Sequence, residues 1–154
     1  MESRESKVSK ALECFDCGQG FNCAQVILST YCEDLGLNKE AALRLSCGFG
    51  AGMGRLGYTC GAVSGAHLVI GLKYGNFLLE DKASREKTYA LVQEFEKRFI
   101  ERNRSTVCKE LLQIDLMSDD KQAIRERVLE VCPRAVKDAA EILESVLFSA
   151  DKDL

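Results

Sequence analysis

The sequence has no tryptophan, a single proline and a single histidine. The lone histidine restricts cysteine–histidine hydrolase chemistry. His67 lies seven residues beyond Cys60, about 10 Å along the same helix face, so it could only serve a thiol of another helix, such as Cys23 or Cys132. A packed or partly exposed histidine is the simpler expectation. No stretch alternates apolar and polar residues with β-branched enrichment, which excludes a sheet-based fold. No surplus of positive charge exists: the net charge is −3 and the isoelectric point near 5.3, which argues against a nucleic-acid surface. The run KRFIERNR, residues 97–104, is broken by Glu101 and reads as a solvated helix end. No apolar stretch suits a bilayer, because the best one, Ala62 to Leu72, is short and broken by glycine. The opening MESRESKVSK lacks the apolar centre of a secretory signal. The expectation is a cytoplasmic protein that is not membrane-embedded.

What is present is helical patterning in one domain, residues 1–154, of all-α class: a compact bundle of several helices with a glycine-rich loop. A first helix is expected over 4–16. Asn22 caps a second, CAQVILSTYCEDL, stopped by Gly36. Asn38 caps a third, ending near Ser46. After the glycine loop, Thr59 caps a helix from Cys60 to Tyr74, with Gly75 as a left-handed stop. Asp81 opens the longest helix, to about Asn103, with Tyr89, Val92, Phe95 and Phe99 as its apolar stripe. Ser105 or Thr106 caps a short helix through VCKELLQ. Ser118 caps the next, with Ile124, Val128 and Val131 on one face. Pro133 starts a last helix at a favoured first position, with Val136, Ala139, Ala140, Leu143, Val146 and Leu147 as its buried side.

Eight cysteines are many for 154 residues. In a reducing compartment they point to metal ligands, reactive thiols or buried fillers rather than structural disulfides. On these helix boundaries Cys23, Cys60, Cys108 and Cys132 all stand in a first turn, where unpaired N–H groups and the dipole favour an anion. Each thiol is then expected to have a lowered pKa and greater reactivity or metal affinity. Gly61, Gly65, Ala62 and Ala66 make a small face beside Cys60. That face serves either tight helix packing or the approach of a cofactor, partner or second subunit. The loop glycines Gly48, Gly50, Gly52, Gly54 and Gly57 do not match a phosphate-binding loop, since GxxxxGK[ST] is absent and no strand precedes them. Cys14 and Cys17 form a lone CxxC, read as an accessory redox element. Cys32 and Cys47 read as packing residues. Asp34, Glu80 and Asp81 read as ordinary surface or cap carboxylates.

The segments GFNCAQVIL (20–28), GFGAGMGRLGYTCGAVSGAHLVIGLKYG (48–75), VCKELLQIDL (107–116) and VCPRAVKDAAEIL (131–143) together resemble the C_GCAxxG_C_C family of redox-active proteins. The chain reads Cys60–Gly61–Ala62 where the family label places glycine before cysteine. The resemblance implies a small helical protein with thiol redox work at Cys23, Cys60, Cys108 and Cys132, often associated with transport genes. Cys14 and Cys17 fall outside those four. Three functions follow for testing. One is a thiol–disulfide oxidoreductase, with Cys60 central because its small neighbours leave room for a redox partner protein or a transport-system component. Another is a tertiary site in which the four thiolates hold Zn²⁺ or an iron–sulfur cluster; the separations of 36, 47 and 23 residues are unlike local knuckles. The third is a structural or interaction protein whose cysteines merely pack. A homodimer with twofold symmetry is the default assembly.

Overall fold

A computed structural model describes residues 5–16 and 20–152. The described chain is helical: α1 (Val8–Asp16), α2 (Cys23–Tyr31), α3 (Lys39–Cys47), α4 (Gly61–Tyr74), α5 (Lys82–Asn103), α6 (Cys108–Leu112) and α7 (Lys121–Lys152), with a 3₁₀ turn at Glu33–Leu35. The apolar residues of α2 and α4 make the centre, where Val26, Ile27, Val63, Val69 and Ile70 are fully buried. Around them pack α1, α5 and α7. The expected side of the last helix, from Val136 to Leu147, is buried throughout.

The closest packing joins α2 to α4, and glycine makes it so. A Cβ on Gly65 would lie 2.9 Å from Ile27 Cβ and 3.0 Å from the Ala24 carbonyl oxygen. A Cβ on Gly61 would lie 3.0 Å from Ala24 N and 3.3 Å from Cys23 Cβ. The small face beside Cys60 is therefore consumed inside the molecule. It does not hold Cys60 open to a partner, and Cys60 is only 5 % exposed.

Several boundaries differ from expectation. α2 stops at Tyr31 and gives way to the 3₁₀ turn. Cys60, not Thr59, is the cap residue of α4, because Thr59 is drawn into an antiparallel bridge with Val107. Val107 likewise precedes α6 in place of Ser105 or Thr106. Asp120 takes the capping role expected of Ser118, its Oδ1 accepting from Ala123 N at 3.0 Å. Gly75 is extended (φ −59°, ψ 142°), not left-handed. Tyr89 is more than half exposed, while Phe95 and Phe99 are buried as expected.

The largest correction concerns Pro133. It starts no helix but lies inside α7, whose 32 residues make it longer than α5. A mid-helix proline forfeits one hydrogen bond and crowds the carbonyl four residues back. Here both arms are anchored. Val128 and Val131 pack on a small cluster formed by Cys108, Leu112 and Leu116, while Ala135 and Val136 enter the main core.

The glycine loop winds with the opposite hand. Ala51, Gly52, Met53, Gly54 and Arg55 have φ of 55°, 65°, 69°, 58° and 72°. Left-handed backbone costs a residue with a Cβ about 1–2 kcal/mol, so Ala51, Met53 and Arg55 hold strain that their surroundings must impose. Part of that hold is the Tyr58 N–H, which donates to Gly52 O at 2.8 Å. Steric need explains Gly52 itself: its Cβ would sit 2.7 Å from Cys108 Cβ.

Candidate functional site: a four-thiol cluster

Four separate devices bring the thiols together. α2 begins with a full capping box: Asn22 Oδ1 accepts from Gln25 N and Gln25 Oε1 accepts from Asn22 N, each at 3.0 Å. This sets Cys23 as the first residue of α2. The Thr59–Val107 bridge then ties two distant loops, with Cys60 N–H donating to Thr106 O at 2.7 Å and Cys108 N–H donating to Tyr58 O. It places Cys60 and Cys108 at the starts of neighbouring helices. Gly61 lets α2 approach α4 at the level of Cys23. Finally, Arg127 Nε donates to Leu112 O at 2.7 Å, clamping α7 over α6 and bringing Cys132 against the Cys108 cluster.

The result is a seam. Cys60 belongs to the main core with Cys23 packed against it, and Cys108 belongs to the smaller cluster with Cys132 packed against it. Each of the four thiols feels the others electrostatically. All four are free thiols; Cys60 and Cys108 are buried, whereas Cys23 and Cys132 are partly exposed. The four sequence-predicted residues thus converge on one site.

Their protonation departs from expectation. Three of the four do stand at helix starts, but the fourth, Cys132, sits in mid-helix. Yet Cys132 is the thiol whose pKa is lowered, because the Cys23 thiol donates a hydrogen bond to it, against the opposing effect of burial. That same hydrogen bond, followed by burial and the neighbouring sulfurs, raises Cys23 well above the ordinary thiol value. Burial pushes Cys60 up to about 11; the N–H groups of Ala62 and Val63 oppose this without closing a full capping bond. Burial and the nearby Cys60 and Cys132 push Cys108 up to about 12. Desolvation of the charged form outweighs the helix end here. The expectation of four lowered pKa values fails for three.

The remaining candidates fall elsewhere. Cys14 lies on α1 against the main core, and Cys17 lies outside the described residues. Cys32 is buried as expected, but Cys47 is exposed at the end of α3, contrary to its reading as a packing residue. His67 Nε2 lies 3.2 Å from Glu96 Oε1 without hydrogen-bond alignment, and burial lowers its pKa to about 4. No cysteine enters into that shift. Asp34 pairs with Lys7, and Asp81 caps α5 through Ser84 N, as ordinary surface and cap roles require. Among the described residues, no group of three or more His, Cys, Asp or Glu side chains has the placement to hold a metal ion as the thiols now stand. No described helix is long and apolar enough to cross a membrane.

A second role of Asn22 escaped the sequence. Beyond capping α2, its Nδ2 donates to Cys47 O at 3.0 Å. The asparagine was legible as a cap; the partner carbonyl, 25 residues away, was not.

A family model described as "Putative redox-active protein (C_GCAxxG_C_C)" matches residues 21–146, a span that contains all four thiols. No curated protein and no solved structure matches the chain.

Proposed function

The chain belongs to the C_GCAxxG_C_C family, and from that premise we propose that it is a thiol–disulfide oxidoreductase whose working pair is Cys132 and Cys23. What supports the reading is placement: Cys23 and Cys132 are the two partly exposed members of the four thiols. Their coupling, which lowers Cys132 and raises Cys23, gives the asymmetry that a nucleophile and its resolving thiol need.

The Cys132 thiolate attacks one sulfur of a substrate disulfide. A Cys132–substrate disulfide forms, the substrate S–S bond breaks, and the departing thiolate takes a proton. Cys132 no longer carries negative charge, so the interaction that held the proton on Cys23 is gone. Cys23, at the positive end of α2, loses its proton and attacks the Cys132 sulfur. The Cys23–Cys132 bond forms and the second substrate thiolate leaves and is protonated. Two electrons have passed to the substrate, and a dithiol donor resets the pair. The buried thiols of Cys60 and Cys108 stay protonated throughout. A reducing compartment such as the cytoplasm suits this resting dithiol; a redox protein or transport component is the partner the reading favours.

Stoichiometric reduction of a small aromatic disulfide by the pre-reduced protein tests it. C132S abolishes the rapid phase, while C60A and C108A retain it. Equal loss in all four single variants would overturn the assignment.

The mutual electrostatic influence of the four thiols supports one second reading, a four-thiolate iron–sulfur or Zn²⁺ site, although no three of them are placed to hold a metal ion as they stand. Cys60 and Cys108 would then have to ionise and the sulfurs draw inward. Anaerobic reconstitution with iron and sulfide, or with Zn²⁺, tests it: a bound complement lost equally in C23A, C60A, C108A and C132A supports this reading against the first.

A further inference from the structure

We propose that Asn22 is a positioning residue for the thiol pair: its carboxamide ties the start of α2 to the loop behind the site and thereby holds the Cys23 sulfur against Cys132. The proposal rests on the Cys132–Cys23 reading above and names a residue that reading does not use.

Three contacts converge on this side chain. Its Oδ1 accepts from Gln25 N, which fixes the first turn of α2. Its Nδ2 donates to Cys47 O, the last residue of α3, across 25 residues of chain. Its face lies on Gly50, where a Cβ would come within 2.1 Å of the Asn22 Cγ. Gly50 opens the left-handed run, whose Gly52 backs directly onto Cys108 Cβ. The carboxamide thus joins the element bearing Cys23 to the element bracing Cys108. An N-cap requires only the acceptor. The donor to Cys47 O and the bare Gly50 surface are additional, and they are what a cap alone leaves unexplained.

Serine separates the two roles. It caps a helix as well as asparagine but is too short to reach Cys47 O. In N22S, thermal stability stays within a few degrees of the parent. Alkylation of Cys132, followed by mass spectrometry across a pH series, slows about three- to tenfold at neutral pH, with its midpoint moved upward. C23A, which removes the donor, produces a shift of the same direction, and adding N22S to C23A produces no further one. An unchanged Cys132 profile in N22S overturns the proposal, as does an undiminished N22S effect in the C23A background. G50A provides a second route should N22S fold poorly: the added methyl displaces the carboxamide while leaving its chemistry intact, and it moves the Cys132 profile the same way. Whether oxidation of the parent joins Cys23 to Cys132 is a separate measurement. Failure there removes the working pair without altering the alkylation result, so the two failures are distinguishable.

Discussion

The two central helices begin alike and end alike, and their two ends are unlike each other. α2 runs from Cys23 to Tyr31, and α4 from the Cys60 cap to Tyr74. At the starting end lie small residues, sulfur and left-handed backbone. At the finishing end lie aromatic rings and paired charges. Glu144 accepts from Ser6 Oγ at 2.9 Å, the Lys7 N–H at 2.7 Å and the Tyr31 hydroxyl at 3.0 Å. Asp151 holds Lys73 and the Tyr74 hydroxyl. A cavity of about 420 Å³ lies among Lys7, Tyr31, Lys73, Glu144 and Phe148. The far end satisfies its polar groups one by one, as a stabilising network does. At the sulfur end the thiols act mainly on one another, with the Ala62 and Val63 N–H groups facing Cys60 as the exception.

The difference between the two ends depends most on the glycine contact that makes the sulfur end. G65A drives a methyl into Ile27 and the Ala24 backbone and is expected to cost about 2–3 kcal/mol, with slower Cys132 alkylation as α2 and α4 part. Urea unfolding and alkylation measured on the same sample check both parts. At the other end, E144A strands the buried Tyr31 hydroxyl and the Lys7 N–H and is expected to cost about 1–2 kcal/mol. It leaves the Cys132 profile where it was. An E144A variant that shifts that profile would join the two ends the comparison separates.

Alkali distinguishes the ends by onset. Cys60 and Cys108 have folded values raised to about 11 and about 12 from an ordinary 9.0. Between the unfolded and folded values the unfolded chain has lost the proton that the native chain keeps, so stability falls as pH rises. The decline therefore begins near 9. Tyr31, raised by burial and by Glu144, adds its own loss only above its unfolded value of 10. Melting temperature followed through this range should show a shallower early decline in C60A or C108A, since Cys23 and the remaining raised thiol still contribute, and lose its later decline in Y31F. The smallest effect is local: R55G, at an exposed residue with φ of 72°, should stabilise the loop by about 0.5 kcal/mol by relieving left-handed strain.

Much of this was open to reading in the sequence. The four cysteines were, through their order and spacing. So were the Asn22 and Asn38 caps and the buried side of α7, because each rests on residues close together in the chain. What stayed hidden depends on distant partners. Thr59 resembles a cap until Val107 pairs with it. Pro133 resembles a start until Val128, Val131 and Val136 find separate clusters to hold both arms of α7. Glycines announced an unusual loop, but Ala51, Met53 and Arg55 adopt left-handed backbone against their own preference, under constraints set elsewhere. Three of the four thiol pKa values are raised rather than lowered for the same reason: helix position is local, whereas burial and the coupling of Cys23 to Cys132 are tertiary.

The proposed cycle makes Cys23 and Cys132 the working pair. It is tested most directly by mild oxidation of the reduced protein, alkylation of the remaining thiols, and peptide mapping by mass spectrometry. The cycle predicts a Cys23–Cys132 disulfide, with Cys60 and Cys108 recovered as alkylated thiols. A disulfide that joins Cys60 to Cys108 while Cys23 and Cys132 remain alkylated would contradict it.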